Sequence, residues 1–188
     1  MKINGKWVFL DNHSIENSKK MYQWSIDKEL IEIELGRIDK SKNINDYENN
    51  IMNSYIENNH ESNSIYCHFG IYRKYNDELI GYLDFQNINE NGAELSLSIP
   101  DKEYRNKHYG IDAVLIALEY GFNKRNLENI IMRTRIDNII VKNMCKKVGI
   151  NYEIEHFAEN NYNIGIVKYI INKDMYEKII NKIFKKII

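Results

Sequence analysis

At 188 residues and 22.4 kDa the chain is the size of one domain, which typically takes roughly 100–200 residues. Hydrophobic residues make up 43% of it, enough for a core that needs no disulfide or metal staple and too many for a disordered or low-complexity chain. Lys+Arg number 26 against 27 Asp+Glu, a net charge of -1, without the basic excess of a dedicated nucleic-acid binder.

The first predicted element is a short strand over Lys6–Asp11, followed by the helix N-cap candidates Asp11, Asn12 and Ser14. Ile15–Glu34 carries apolar residues at helical spacing, with a break near Asp27 and a stop at Gly36. Tyr47, Ile51, Tyr55 and Ile56 mark a second amphipathic helix. From Ser64 the period changes. Strands are predicted at Ile65–Tyr72, Leu79–Asn87 and Glu94–Ile99, with turns at Lys74–Glu78 and Asn89–Gly92, giving an antiparallel meander. In the third strand Leu95, Leu97 and Ile99 share one face, and Glu94, Ser96 and Ser98 the other.

A helix opens at Gly110, with Ile111, Val114, Leu115, Leu118 and Phe122 as its apolar stripe. A strand at Asn129–Ile136 follows, then a helix from Asn138 to Val148 closed by Gly149. Two late strands, Glu153–Ala158 and Asn163–Ile171, are joined through Asn160 and Asn161. An amphipathic helix over about 174–188 ends the chain, docked on the sheet or on a second subunit. Strand 94–99, helix 110–123 and strand 129–136 form a β-α-β unit and so a parallel pair. The predicted fold is α+β in one domain: a mixed central sheet with antiparallel N-terminal strands and one parallel pair, flanked by helices.

Several chemistries lack their residues. Cys67 and Cys145 make no zinc set or disulfide framework and suit a reducing cytosol, so a cytoplasmic location is expected. The N-terminus shows no signal-peptide core, and no run nears the roughly 18 apolar residues of a membrane span. His13, His60, His68, His108 and His156 show no paired metal-ligand spacing, and there is no serine-hydrolase elbow. No metal, nucleic-acid or membrane partner is predicted.

The run Ser98-Ile99-Pro100-Asp101-Lys102-Glu103-Tyr104-Arg105-Asn106-Lys107-His108-Tyr109-Gly110 joins a strand to a well-patterned helix. The first amides of a helix lack intrahelical acceptors and the dipole there is positive, so such a loop can cradle an anion. Arg105, Lys107 and His108 add basic character.

Ala93–Ile99 followed by Tyr104–Ala113 resembles the acetyl-CoA motif of the GNAT superfamily of N-acetyltransferases, whose loop reads Arg/Gln-x-x-Gly-x-Gly/Ala. Asn138–Ile150 resembles the family's Asn-x-x-Ala…Tyr-x-Lys-Leu-Gly-Phe segment. Gly5–Gln23, Trp24 and Leu79-Ile80-Gly81-Tyr82 look like the opening of the branch that acetylates ribosomal-protein N-termini and polyamines. The resemblance spans roughly residues 5–172. The sequence departs from the pattern with His108 where the family prefers Gly, Asn106 where the close branch often has Gly, and Cys145 where the family usually has Tyr.

The resemblance implies a GNAT-like fold and an acetyl-CoA-dependent N-acetyltransferase. An amine (a small molecule or a protein N-terminus) would attack the thioester directly in a ternary complex. Leu97, Ser98 and Ile99 would bond pantetheine and the carbonyl. Arg105, Asn106, Lys107, His108, Tyr109 and Gly110 would hold the pyrophosphate, and Asn138 would bond the pantetheine arm. Glu94 is the first candidate for general base and Asp84 the second. Cys145 would stand in for the Tyr that protonates the departing thiolate, or is a buried packing residue. Glu29, Glu32 and Glu34 would attract a cationic amine or are a solvated helix face. A homodimer is possible on this reading. The alternative function is a noncatalytic GNAT-fold protein that binds CoA or a partner.

Overall fold

Strand β1 (Ile3–Asn4) folds back on β2 (Val8–Asp11) with Ile3 opposite Leu10. The predicted strand at Lys6 starts two residues later, because the Lys6 and Trp7 amides turn to Asp112 and Gly5 bonds the Val8 carbonyl. The computed structural model describes residues 2–25, 27, 30, 66–155 and 165–184. The predicted second helix, the continuation of the first past Asp27, Gly36, the acidic residues of that stretch, His60, His156 and the Asn160–Asn161 link lie outside the described residues.

After β2 a 3-10 turn leads into α1 (Ser18–Ser25). The meander is β3 (Cys67–Arg73), β4 (Leu79–Asn89) and β5 (Gly92–Ser98). Helix α2 (Tyr109–Asn123) crosses to β6 (Asn129–Arg135), and α3 (Ile139–Val148) leads to β7 (Tyr152–Glu155). Strand β8 (Ile166–Asn172) runs into α4 (Lys173–Phe184). One sheet results, in the order β1-β2-β3-β4-β5-β6-β8-β7, and β5 and β6 are its parallel pair. The expected mixed sheet with antiparallel N-terminal strands is present.

The two faces of the sheet bury different residues, as strand alternation requires. One face packs Val8, Leu10, Phe69, Ile80, Leu83, Phe85 and Leu95 against the apolar stripe of α2, including Ala113, Ala117 and Leu118. Helix α3 adds Cys145 and Val148 to this core, and α4 adds Tyr176 and Ile179. The Tyr176 ring meets Phe122 with centroids 5.4 Å apart, so the tail helix docks on its own chain. The opposite face carries a smaller cluster in which Met21 and Trp24 of α1 cover Phe9, Tyr72 and Leu79.

Strands β5 and β6 stay together for a short distance. Their register covers Ala93 with Ile130 and Glu94 with Ile131. Beyond that, β5 continues along β4 to Ser98, opposite Tyr82, while β6 continues along β8 to Arg135, opposite Ile166. Each strand keeps its outer partner, and the sheet opens between them.

Candidate functional site

Two adjoining hollows occupy this opening and share Asn106, Gly110, Ile140 and Met144 as walls. The smaller, of about 140 Å³, is floored by Leu97, Ser98 and Ile99 and bounded by Asn138 and Val141. Leu30 reaches it from the α1 side. The larger, of about 570 Å³, adds His108, Ile111, Ile139, Asn143, Lys146 and Lys147.

The loop before α2 is held from both ends. Tyr104 is buried and donates its hydroxyl to Glu78 Oε1 at 2.7 Å. That bond lowers the Glu78 carboxyl below its ordinary range and raises the Tyr104 phenol above its own. The Arg73 guanidinium lies over the Tyr104 and Tyr109 rings, 5.3 and 5.9 Å from their centroids. Trp24 Nε1 donates to Asp101 at 2.9 Å, joining α1 to the start of the loop. Arg105 Nε donates to the Ile99 carbonyl at 3.0 Å, and its Nη2 donates to Pro100. These bonds pull Ile99 and Pro100 off the sheet, so β5 ends at Ser98 instead of the predicted Ile99. Arg105 therefore acts here as a staple across the base of the loop.

Asn106 has φ 61° and His108 φ 69°, both left-handed. These are the positions where the family pattern has glycine. Asn and His are among the side chains that enter this region more readily than most. His108 is exposed and precedes α2, and its side chain makes no capping bond.

The α2 N-terminus presents its first amides without intrahelical acceptors. A Cβ added to Gly110 would sit 3.9 Å from both Leu97 Cδ2 and Met144 Sδ, in ordinary contact. Glycine here leaves open the passage between the two hollows.

Seven of the ten predicted cofactor residues, Leu97, Ser98, Ile99, Arg105, Asn106, Gly110 and Asn138, line the smaller hollow, and His108 lines the larger. Lys107 is exposed beside them, and the Tyr109 ring turns to Arg73. Asn138 caps α3: its Oδ1 accepts from the Val141 amide at 3.3 Å, and its Nδ2 donates to Thr134 Oγ1 at 3.0 Å. Sequence reasoning passed over Met144, Ile139, Ile140, Lys146 and Lys147. Ile139 and Ile140 are 59% and 49% exposed, and an exposed apolar pair opening a helix was the available signal.

The predicted acid–base residues separate. Glu94 Oε2 accepts from Arg133 Nη1 at 2.6 Å, an ion pair from β5 to β6 where the strands part. Cys145 is fully buried on the core side of α3, and burial pushes its thiol up to about 12. Asp84 is buried on β4 and accepts from the Tyr66 hydroxyl at 2.7 Å. Among the described residues no group of three or more His, Cys, Asp or Glu is placed to hold a metal. No helix among them is long and apolar enough to cross a membrane.

Similarity to known proteins agrees with this geometry. RimL, a ribosomal L7/L12 alpha-N-protein acetyltransferase in complex with coenzyme A, superposes with a TM-score of 0.78 at 12% identity, over 93% of this chain and 99% of that one. A spermidine N-acetyltransferase from Vibrio cholerae in complex with CoA and spermine gives 0.73 at 18% identity, over 91% and 98%. A GNAT-family acetyltransferase from Bacillus anthracis gives 0.74 at 17% identity, over 93% and 99%. No curated protein sequence matches the chain. Residues 8–151 match the acetyltransferase (GNAT) domain, and the chain belongs to that family.

Proposed function

We propose that the protein is an acetyl-CoA-dependent N-acetyltransferase acting on a primary amine. The observation that carries this reading is the open edge of β5 beyond Glu94, facing a hollow that leads to the α2 N-terminus. A strand edge bonds an amide-containing chain such as the pantetheine arm. The left-handed loop and the first-turn amides suit a pyrophosphate, and Lys107, Lys146 and Lys147 supply positive charge around it.

Bound acetyl-CoA supplies an acetyl group activated as a thioester. The chain's part is to hold that group at the split and bring the amine to it. Backbone donors of β5 near Ser98 favour the carbonyl oxygen as it gains negative charge. In this reading the Glu94–Arg133 pair fixes the opening of the strands, and proton acceptance falls to another group. Cys145 serves packing, so the departing sulfur takes its proton from the amine or from water. The acceptor is a small amine or a protein N-terminus, the classes named for the spermidine and ribosomal-protein enzymes above.

The burial of Cys145 also favours a second reading, a protein that binds CoA without turnover, since no side-chain acid stands at that position. Calorimetric titration with acetyl-CoA and CoA, followed by thiol release with spermidine and a serine-terminal peptide, separates the two. Binding with amine-dependent release supports the transferase. Binding without release on either amine supports the second reading. No binding of either nucleotide overturns both.

A further inference from the structure

The sheet face opposite α2 carries a polar cluster that the reading above leaves unused. His68 follows Cys67 and precedes Phe69, both buried on the α2 side, so alternation puts His68 on the other face. Across the β3–β4 ladder it stands opposite Asp84. Asp84 is 6% exposed, and its Oδ1 meets both His68 Nδ1 and the Tyr66 hydroxyl. The His13 ring lies over His68 with centroids 4.3 Å apart. His13 is 2% exposed, with its ring against the Phe69 backbone. Asp84 in turn stands opposite Ser96 on β5, and the neighbouring pair is Tyr82 with Ser98, a wall of the smaller hollow.

This arrangement fixes a tautomer. A carboxylate against Nδ1 accepts the Nδ1 proton, which leaves the lone pair on Nε2 and stabilises the imidazolium once Nε2 is protonated. Burial, and next the nearby His68, push His13 well below its ordinary range. Tyr66, Tyr82 and Asp84 are among the titratable groups that face His68. Glu94, paired with Arg133, lies one alternation beyond Ser96 on the same face.

We propose that His68, oriented by Asp84, accepts the proton of the acceptor ammonium; this rests on the acetyltransferase reading above. An ammonium N–H bond breaks, its electron pair becomes the amine lone pair, and Nε2 holds the proton. The amine nitrogen bonds to the thioester carbon as the carbon–sulfur bond breaks. Of the two remaining N–H protons, one goes to sulfur and one stays in the amide. An ammonium and a thioester thus give an amide, a thiol and one proton, which His68 returns to solvent.

The tests are His68→Gln and Asp84→Asn. In the free protein, long-range proton–nitrogen NMR should show neutral His68 protonated on Nδ1, a preference that weakens in Asp84→Asn. An Nε2-protonated ring, or a tautomer indifferent to Asp84→Asn, overturns the proposal. With spermidine or the serine-terminal peptide, His68→Gln should lower kcat/KM by about 10²–10⁴-fold, the usual range for one acid–base group. Acetyl-CoA affinity should hold in both variants. Turnover retained in His68→Gln overturns the proposal with the transferase reading intact. A wild-type protein that binds no acetyl-CoA overturns the transferase reading itself and the proposal with it.

Discussion

The Asp112 carboxylate, on the first turn of α2, accepts the Val8 amide of β2 at 2.9 Å. The same carboxylate takes the Trp7 amide at 2.5 Å and the Lys6 amide at 2.9 Å. One first-turn side chain therefore fixes both the β1–β2 turn and the end of α2 that faces the larger hollow. Gly5 belongs to this contact, since a Cβ there would lie 2.7 Å from Asp112 Oδ2.

Asp112→Ala removes a charged acceptor shared by three amides, one of them on the buried Val8. Bonds to charged groups contribute about 1.5–3 kcal/mol each, but water can replace the acceptor at the exposed Lys6 and Trp7. We expect a net loss of about 2–4 kcal/mol, or roughly 5–15 °C in Tm for a chain of this size. Thermal unfolding followed by circular dichroism reads it. Asp112→Asn keeps an acceptor oxygen and should lose less. An unchanged Tm in Asp112→Ala would mean that the turn is held by other contacts.

At the loop, Gly110→Val and His108→Gly test opposite features. Valine at 110 has room at Cβ, but its branches project into the passage between the hollows. It should leave the Tm near wild type and lower acetyl-CoA affinity by at least about tenfold, a cost of about 1.4 kcal/mol. Equal affinity would count against the passage as the binding site. His108→Gly relieves a left-handed side chain, so stability should rise by about 1 kcal/mol, and affinity should stay level or improve. A marked loss of affinity would show that the imidazole touches the ligand.

How much of this was legible depends on distance along the chain. The alternation of Leu95 and Leu97 and the stripe from Ile111 to Phe122 are local patterns, and both produced the predicted elements. The left-handed loop was legible only through the resemblance, which marks 106 and 108 as glycine positions, because Asn106 and His108 do not display glycine themselves. The parting of β5 from β6 after Glu94 has no local signature: it depends on β6 pairing with β8, distant in sequence. The same holds for His68 and Asp84, which only the β3–β4 register brings together. Arg105 read as a phosphate ligand from its charge and its place in the loop pattern, and its bonds to the Ile99 and Pro100 carbonyls depend on a loop geometry that neither signal displays. The burial of Cys145 was readable, since Val141, Cys145 and Val148 fall on one helical stripe.

Asn138 holds two roles that substitution can separate. Asn138→Ala loses the α3 cap, worth about 1 kcal/mol, and also the bond to Thr134. Acetyl-CoA affinity should fall with it, because α3 carries one wall of both hollows. Asn138→Asp keeps a capping oxygen and should recover most of the stability. If affinity recovers in parallel, the residue acts through the cap. If stability returns and affinity does not, the amide nitrogen contacts the ligand.

Cys145 makes stability depend on alkaline pH. Its thiol, pushed up to about 12 by burial, keeps its proton in the folded chain where an unfolded cysteine of pKa about 8.5 has lost it. Between those values the native state binds more protons than the unfolded state, so stability falls as pH rises. The contribution is fully present below about 8.5 and is lost as pH climbs through about 12. Burial likewise raises the Tyr120 phenol to about 12, and Cys67 shifts upward for the same reason, so the three add with one sign. Urea unfolding across this window should show a declining free energy, and each such group adds up to about 1.4 kcal/mol per pH unit. Cys145→Ala should flatten the slope by one proton and cost about 1–2 kcal/mol near pH 7 through lost packing. Both thiols should resist a thiol reagent until the protein unfolds, since both are buried. In the transferase assay Cys145→Ala should keep kcat, and Cys145→Tyr should lower stability by overfilling a core site. A drop in kcat of about tenfold or more in Cys145→Ala, with acetyl-CoA affinity intact, would show instead that this thiol supplies the proton to the leaving sulfur.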